Sequence, residues 1–449
     1  MPTTRHVSLL GLGFGDCGKG VFTDALCRRW PVHTVVRFNG GAQAGHNVVL
    51  ADGRHHTFCQ FAAGTFLPGV ATVLAYPVVV HPSALLVEHR RLRALGVDDA
   101  LARLRIDSRC RIDTPFHQAA GRLREWRRGN GAHGSCGVGV GETVRHALRF
   151  PEQVLRYADL ARPALAMRKL AAIRGQACAE FDRFDTVEAL AGASASGHDD
   201  ALAEYRLLHD ERLAEQWLCQ VSPLLEQSPP ASPATIAERL DQPGSVLYEG
   251  AQGVLLDEWR GFHPHTTWSR IHPRAVAAVA AAYGVARRSI EHFGILRTYP
   301  TRHGQGPLPT FDPALDALPE PHNGNDGWQG RFRRGHPDAV LLRYALAAVG
   351  PLDGVLISHL DVFEKIDALR WCDAYRLEPN ERCDTLPLGP ARDLAYQSRL
   401  TRRLLTAKPH YESPPVSSTD DFIARIAALA KCSPRFGAFG PTAASVTAL

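Results

Sequence analysis

The chain is poor in several things, and each shortage removes a class of explanation. Its ten cysteines are scattered and form no C-x-x-C pair, so neither a disulfide framework nor a zinc ribbon is indicated. No apolar run reaches the roughly 20 residues that cross a bilayer. The N-terminus lacks a charged-then-apolar leader pattern. Together these point to a soluble protein in a reducing, cytoplasmic setting, with free thiols and no membrane partner. Basic residues do not gather into a block interleaved with aromatics, so the net charge of +5 makes no case for nucleic acid. The same mild excess suits anionic substrates. No repeat or low-complexity tract is present. What the chain does have is bulk: 449 residues, 45% hydrophobic and 22% charged, enough for a large core and one to three domains.

The chain is organised around Gly13-Phe14-Gly15-Asp16-Cys17-Gly18-Lys19-Gly20. An apolar run from Val7 to Leu12 leads in, and a helix-like segment from about Lys19 to Trp30 follows. A glycine turn between strand and helix presents backbone N–H groups and the positive end of the helix dipole to an anion. Gly13 to Lys19 has the G-x-x-x-x-G-K spacing of a phosphate cradle. The Ser/Thr that normally follows the lysine and holds Mg²⁺ is Gly20, and an acid, Asp16, sits inside the loop. A carboxylate there repels phosphate unless it binds the metal or removes a proton. An ordinary strand–helix turn, with glycines for geometry alone, also fits this segment taken by itself.

Further along, Val32 to Phe38 reads as a strand running into Asn39-Gly40-Gly41-Ala42-Gln43-Ala44-Gly45-His46. Val48 to Leu50 and His56 to Phe61 read as a hairpin across Asp52-Gly53, and Val73 to Val80 as one strand. Pro82 to Leu95 has helical spacing, and Leu101 to Ile112 reads as helix then strand. Gly129 to Gly141 is too rich in glycine to pack a core and reads as a working loop. Ala201 to Gln227 reads as a long helix broken near Ser222-Pro223. Strands are expected at Ser245 to Tyr248, Gly294 to Tyr299, Gly354 to Ser358 and Arg435 to Phe439. Helices are expected at Ala275 to Tyr283, Pro337 to Val349 and Phe422 to Leu429, with little regular structure from Gly304 to Trp328. Strands alternating with helices imply an α/β fold with a central, largely parallel β-sheet flanked by helices. Functional groups then collect at the carboxyl ends of the strands.

Six ordered motifs resemble the adenylosuccinate synthetase family. They are Gly15-Asp16-Cys17-Gly18-Lys19-Gly20, Arg37 through His46, Glu249-Gly250-Ala251-Gln252-Gly253 through Asp257, Thr301-Arg302-His303-Gly304-Gln305-Gly306-Pro307, Gln329-Gly330-Arg331-Phe332-Arg333-Arg334, and Ser358-His359-Leu360-Asp361. The match runs in order from near residue 5 to Pro441, and implies one domain over 1–449 with inserted helical and loop subregions. The resemblance implies a P-loop-like, GTP- and Mg²⁺-dependent homodimeric ligase. Such an enzyme phosphorylates the 6-oxygen of IMP and lets the amine of L-aspartate displace the phosphate. By this likeness Asp16 is general base and metal ligand, and the Gly45 carbonyl completes the metal shell. His46, with Lys19, stabilises charge on the oxygen and the γ-phosphoryl group. Gly15, Gly18, Lys19, Gly20 and His46 hold the GTP phosphates; His359, Asp361, Gly440 and Pro441 form the guanine pocket. Arg333, counted with both GTP and aspartate, grips the aspartate carboxylate beside Gln329 and Arg331. Gln43, Ser135, Cys136, Gln252, Thr267 and Arg331 face the acceptor. Taken alone, His46 also suits a structural turn, Asp361 a cap, and the arginines a solvated face. His55-His56 and His263-Pro264-His265 lack thiols or carboxylates at ligand spacing and are left as structural or substrate-lining.

The departures from the family pattern cluster. Its glycine loop reads Thr-Thr-Gly-Arg where this chain has Ser135-Cys136-Gly137-Val138. A thiol is a weak donor and valine offers none. The asparagine of its Asn-Ala-Gly-His turn is Gln43, and the arginine it sends to the partner's IMP phosphate falls on Phe150, with Arg145 and Arg149 nearby. His359 replaces a lysine, Cys17 a glutamate and Val21 a second lysine. Asp16, Gly45, Asp361 and Arg333, the base, metal, guanine-accepting and aspartate positions, are kept, while the surroundings of one phosphate are altered. The expected activity is therefore a GTP-dependent C–N ligase acting on a 6-oxopurine-like or other lactam acceptor, with a specialised-pathway relative favoured over the purine-biosynthetic enzyme. An inactive GTP-binding regulatory homologue is the rival from another class.

Overall fold

In the strands, apolar side chains alternate between two directions, and this alternation builds one large sheet with a core on each face. The computed structural model describes residues 4–182, 201–324, 330–378 and 381–449. The central sheet has ten strands: β1 (Arg5–Gly11), β2 (Val32–Arg37), β3 (Ala71–Leu74), β4 (Leu104–Asp107), β5 (Pro230–Ala231), β6 (Ser245–Glu249), β7 (Ile290–Arg297), β8 (Gly354–Ser358), β9 (Pro434–Ala438) and β10 (Val446–Ala448). Their order across the sheet is β10-β9-β8-β7-β1-β6-β2-β3-β4-β5. All neighbours are parallel except β9 and β10.

Val7, Leu9, Val35, Leu247, Phe293 and Leu356 pack on Phe22, Ala25 and Leu26 of α1 (Lys19–Arg29) on one face. Leu10, Val36, Val73, Val246 and Tyr248 turn to the other face and meet Val276, Val279 and Ala280 of the helix Pro273–Ala281. Each fully buried aliphatic side chain contributes roughly 1.5–3 kcal/mol. α1 carries the chain from β1 past β6 to β2, while β7 lies on β1's other side. Strand order therefore reverses at β1, the place where open α/β sheets bind ligands. Because the strands are parallel, the loops after β9, β8, β7, β1, β6 and β2 lie side by side along one edge.

Two antiparallel ribbons continue from that edge: His46–Val49 with His55–Phe58, and Thr301–His303 with Phe332–Arg334. Beyond β4, the helices α2 (Pro115–Arg128), α3 (Val140–Arg149) and α4 (Pro163–Phe181) pack against one another, α2 and α4 on a core of Leu92, Phe116, Leu123, Leu170 and Trp217. Among the described residues no helix is long and apolar enough to cross a membrane.

Three sequence expectations are corrected. The strand expected over Val73 to Val80 ends at Leu74; Pro77 has no N–H to continue a ladder, and Val79–Val80 pair instead with Arg111–Ile112 in a separate small sheet. The Leu101 to Ile112 segment holds two short strands and no helix. The long helix breaks between His209 and Leu213, while Pro223 sits inside Leu213–Gln227. Ser222 Oγ donates to the Cys219 carbonyl at 3.0 Å, filling the place of the N–H that Pro223 lacks. An edge strand, β10, was not anticipated.

Candidate active site

Gly15 and Gly18 of the loop after β1 have φ of +119° and +85°, a backbone that only glycine adopts without strain. A Cβ on Gly18 would lie 2.7 Å from Ser358 Cβ at the end of β8. Gly18 caps α1 with no side-chain hydrogen bond, so the first amides of the helix are not taken by a cap. Lys19 is buried and folds back over its own loop, donating to the Gly15 carbonyl and, at 3.5 Å, to Cys17 Sγ. Gly20 stands where a hydroxyl was missing: a Cβ there would lie 2.3 Å from the Asn47 carbonyl. Close packing of α1 on the 46–58 ribbon therefore leaves no room for Ser or Thr.

Asp16 is the loop's carboxylate. Its Oδ2 accepts from Arg297 Nη1 at 2.8 Å and from Asn323 Nδ2 at 3.1 Å. Burial pushes this carboxyl up, but Arg297 first, then His359, Lys19 and His303, outweigh it, and the net direction is down. Arg297 also pairs with Glu320, and Asn323 bonds both carboxylates, so one cation spans two acids. His46 stands at the start of its ribbon with Nδ1 2.9 Å from Glu249 Oε1, at the end of β6. Burial drives His46 down to about 4, against the pull of Glu249 and with Arg37 and Lys19 adding to the fall. Burial would raise Glu249, yet His46 and Arg37 hold it down at about 2, so the pair is a neutral imidazole on a carboxylate. Its Nε2 is buried and has no partner among the described residues.

The Gly40–Gly41 turn after β2 brings two carboxamides together. A Cβ on Gly40 would lie 3.0 Å from Gln252 Oε1 and 3.5 Å from Gln43 Nε2. Both Gln43 and Gln252 have a buried Oε1 without a partner among the described residues. Asn39 ties this turn to the loop after β6 by accepting from the Ala251 N–H at 2.8 Å. Thr267 Oγ1 donates to the Leu256 carbonyl at 3.1 Å. The glycine-rich loop is anchored by Glu125, whose Oε2 accepts from the amides of His133, Gly134 and Ser135 at 2.9, 3.2 and 3.4 Å. Ser135 Oγ is already engaged by the Gly137 N–H at 3.2 Å. Cys136 is half-buried, and burial pushes its thiol up, leaving a weak neutral donor. Phe150 follows α3; Arg145 lies 3.2 Å and Arg149 3.8 Å from Glu180 of the same chain.

Arg302 and Arg333 lie on the second ribbon. Arg302 donates to the carbonyls of Gln305, Pro307 and His265 at 3.0, 3.2 and 3.1 Å and lies 4.2 Å over the Phe14 ring. Burial, with Arg333 adding, lowers it to about 9. Arg333 Nη2 donates to Gly306 at 2.9 Å and its Nε is buried without a partner among the described residues. Arg331 is exposed and pairs with Asp316. Gln329 lies outside the described residues. At the far end, His359 is left-handed (φ 61°), with Nδ1 2.9 Å from Ser358 Oγ, and burial drives it well down. Asp361 Oδ2 meets Lys365 Nζ at 2.5 Å, and Gly440-Pro441 form the turn after β9. The edge thus gathers Asp16, Lys19, His46, Gln43, Gln252 and His359 on neighbouring loops. Reading the sequence missed Arg297, Glu320, Asn323 and the partnership of Glu249. Arg297 had a usable signal: a charge directly after the apolar run Ile295-Leu296 at the end of its strand, much as Asp361 follows an apolar strand.

A parallel sheet with a lysine-closed glycine turn at its point of strand reversal defines an α/β enzyme fold of the phosphate-binding kind. Comparison with known proteins narrows this. The sequence profile of the adenylosuccinate synthetase family matches residues 8–402, and the chain belongs to that family. It is 33% identical to the adenylosuccinate synthetase of Edwardsiella ictaluri over 390 residues, covering 86% of this chain and 83% of that protein. It is 32% identical to that of Mycolicibacterium vanbaalenii over 422 residues, 91% and 86% of the two chains. The fold is shared with fully ligated adenylosuccinate synthetase from Plasmodium falciparum (TM-score 0.77, 18% identity, 99% of this chain and 100% of that one). It is shared too with the cyanophage S-2L succinoaminodeoxyadenylate synthetase bound to dGMP and dATP (TM-score 0.61, 16% identity, 99% and 95%). Homologues in this family are GTP-dependent C–N ligases.

Proposed function

We propose that this ligase phosphorylates the carbonyl oxygen of a lactam- or amide-type acceptor with GTP. The amine of L-aspartate then attacks that carbon and expels the oxygen with the phosphate. We infer further that the acceptor differs from IMP where the family holds the 5′-phosphate. The single observation that supports this is where the sequence departs from the family pattern: Gln43, Cys136, Val138 and Phe150 all fall at positions that the resemblance assigns to one phosphate, while Asp16, Lys19, His46, Arg333 and Asp361 are retained. Arg145 and Arg149, the nearest replacements for a lost arginine, are engaged by Glu180.

In this reading Asp16 removes the acceptor N–H proton, which makes the lactam oxygen nucleophilic. Arg297 keeps that carboxylate ionised and oriented. Lys19 and the uncapped amides of α1 hold the nucleotide phosphates. His46 faces the phosphoryl group as it is transferred. Arg333, whose buried Nε has no partner among the described residues and which lies beside Arg302, receives the aspartate carboxylate; Asp361 accepts the guanine N–H donors. Asp16 and the Gly45 carbonyl are hard oxygen ligands, a donor set suited to Mg²⁺ that shares its shell with nucleotide phosphates. When bound, Mg²⁺ supplies charge neutralisation at the transferring phosphoryl group. One domain over 1–449 and a homodimer belong to the same reading.

The cyanophage protein is bound to dGMP and dATP, which makes dGMP a reasoned member of an acceptor panel here. The experiment uses acceptors labelled with ¹⁸O at the carbonyl. The label is expected in the inorganic phosphate released when aspartate is present. Label retained in the product, or phosphate release indifferent to aspartate, would overturn the ligase reading and favour a GTPase.

A further inference from the structure

We propose that Glu249 is a positioning residue for phosphoryl transfer: its carboxylate fixes the ring of His46 with Nδ1–H turned inward and Nε2 turned to the reacting groups. The proposal rests on the reading of His46 given above. Glu249 closes β6 and is fully buried. Each of its oxygens is committed. Oε1 meets His46 Nδ1 at 2.9 Å, and Oε2 accepts from the Ala63 N–H at 3.2 Å with Arg37 Nη1 at 3.9 Å. Arg37 is pinned in turn by the Phe61 carbonyl at 3.1 Å. Arg37 and Glu249 are register partners on adjacent strands, so the distance between them is set by the sheet itself.

Four segments therefore converge on one carboxylate: β2 through Arg37, the 61–63 turn through Ala63, the ribbon through His46, and β6. A carboxylate only accepts, so the nitrogen that faces it must carry the proton. Turning the ring over would put Cδ2–H against the carboxylate and leave a buried oxygen without its donor, and moving the proton to Nε2 would place a lone pair against it. The arrangement matches the logic of a carboxylate that holds a catalytic imidazole in one tautomer without itself exchanging a proton. A purely structural ion pair needs no particular nitrogen left over. Here Nε2 is left over, buried and unpartnered among the described residues, on the residue that follows Gly45.

The test uses the full chain and three variants, Glu249→Gln, Glu249→Asp and His46→Asn. Binding of Mg²⁺ and a fluorescent GTP analogue is measured beside the kcat of aspartate-dependent GDP release. Nitrogen NMR of histidine-labelled protein, with His46→Asn assigning the signal, reads the tautomer. We expect Glu249→Gln to lower kcat about 100-fold or more, as loss of a correctly presented catalytic group does, with nucleotide affinity changed less than about threefold. The carboxylate variant Glu249→Asp should recover part of kcat. In the nucleotide-free wild type the spectrum should show His46 with its proton on Nδ1, facing Glu249, a pattern lost in Glu249→Gln. An Nε2–H tautomer in the wild type, or an unchanged kcat in Glu249→Gln, overturns the proposal, and the first of these can be read even if the glutamine variant does not fold. Full activity in His46→Asn would instead overturn the role of His46 on which it rests.

Discussion

Replacing Cys136 by threonine puts a hydroxyl on the loop that the proposed reading sets beside the acceptor phosphate, and should change how the protein treats IMP. The loop backbone at this point is fixed. Glu125 holds the amides of 133, 134 and 135, and the Ser135 hydroxyl oxygen accepts from the Gly137 N–H, so residue 136 sits on an ordered backbone as the position where the resembled family pattern has a hydroxyl donor and this chain has a thiol. The native thiol is half-buried, pushed up by burial and a weak donor. One hydrogen bond to a charged group contributes about 1.5–3 kcal/mol, and each 1.4 kcal/mol is tenfold in affinity. Cys136→Thr should therefore tighten IMP about 10- to 100-fold while leaving inosine within about threefold. Titration calorimetry with IMP and inosine in parallel reads both. A variant that tightens both equally, or neither, refutes the assignment of this loop to the altered phosphate pocket.

Asp16→Asn should abolish turnover and leave Mg²⁺·GTP binding within a few fold, since the carboxamide keeps the loop's shape but cannot take a proton; surviving turnover would remove Asp16 as base. In Arg297→Met the cation that outweighs burial is lost, so the Asp16 carboxyl rises. The acid limb of the kcat/KM profile should then move to higher pH, and an unmoved limb would separate Arg297 from the base. Arg333→Leu should raise the KM for aspartate by at least tenfold, from about 1.5–3 kcal/mol per lost charge-assisted bond, with little effect on GTP affinity. Glu249 titrates near 2 in the fold against an ordinary 4.5. Its depressed pKa contributes stability that is present above about 4.5 and drains as pH falls toward 2; acid unfolding of Glu249→Gln should show a flatter slope across that window.

Most of the sheet was legible because its signal is local. Val32 to Phe38, Ser245 to Tyr248 and Gly354 to Ser358 are short runs rich in β-branched and apolar residues, and each became a strand within a residue or two of the expected bounds. The errors lay where one residue decides against its neighbours. Pro77 ended a run that hydropathy alone would continue, and Pro223 failed to end a helix because Ser222 satisfied the carbonyl it freed. The site was legible as motifs and illegible as partnerships. Asp16 and Arg297 stand 281 residues apart, and His46 and Glu249 stand 203 apart. No spacing rule connects them; the parallel register does, by placing the ends of β1, β6 and β7 side by side. Gly20 shows the converse. Read as a missing metal-binding hydroxyl, it is a packing requirement set by Asn47.

The most direct test of the account is aspartate-dependent GDP release in Mg²⁺ and GTP, with IMP, inosine, hypoxanthine and dGMP as matched acceptors at equal concentration. The account predicts that GDP release requires aspartate, and that IMP gains no advantage from its 5′-phosphate over an acceptor without one. Efficient turnover of IMP alone, at a low micromolar KM, would contradict it and make Gln43, Cys136 and Val138 tolerated changes in an ordinary adenylosuccinate synthetase.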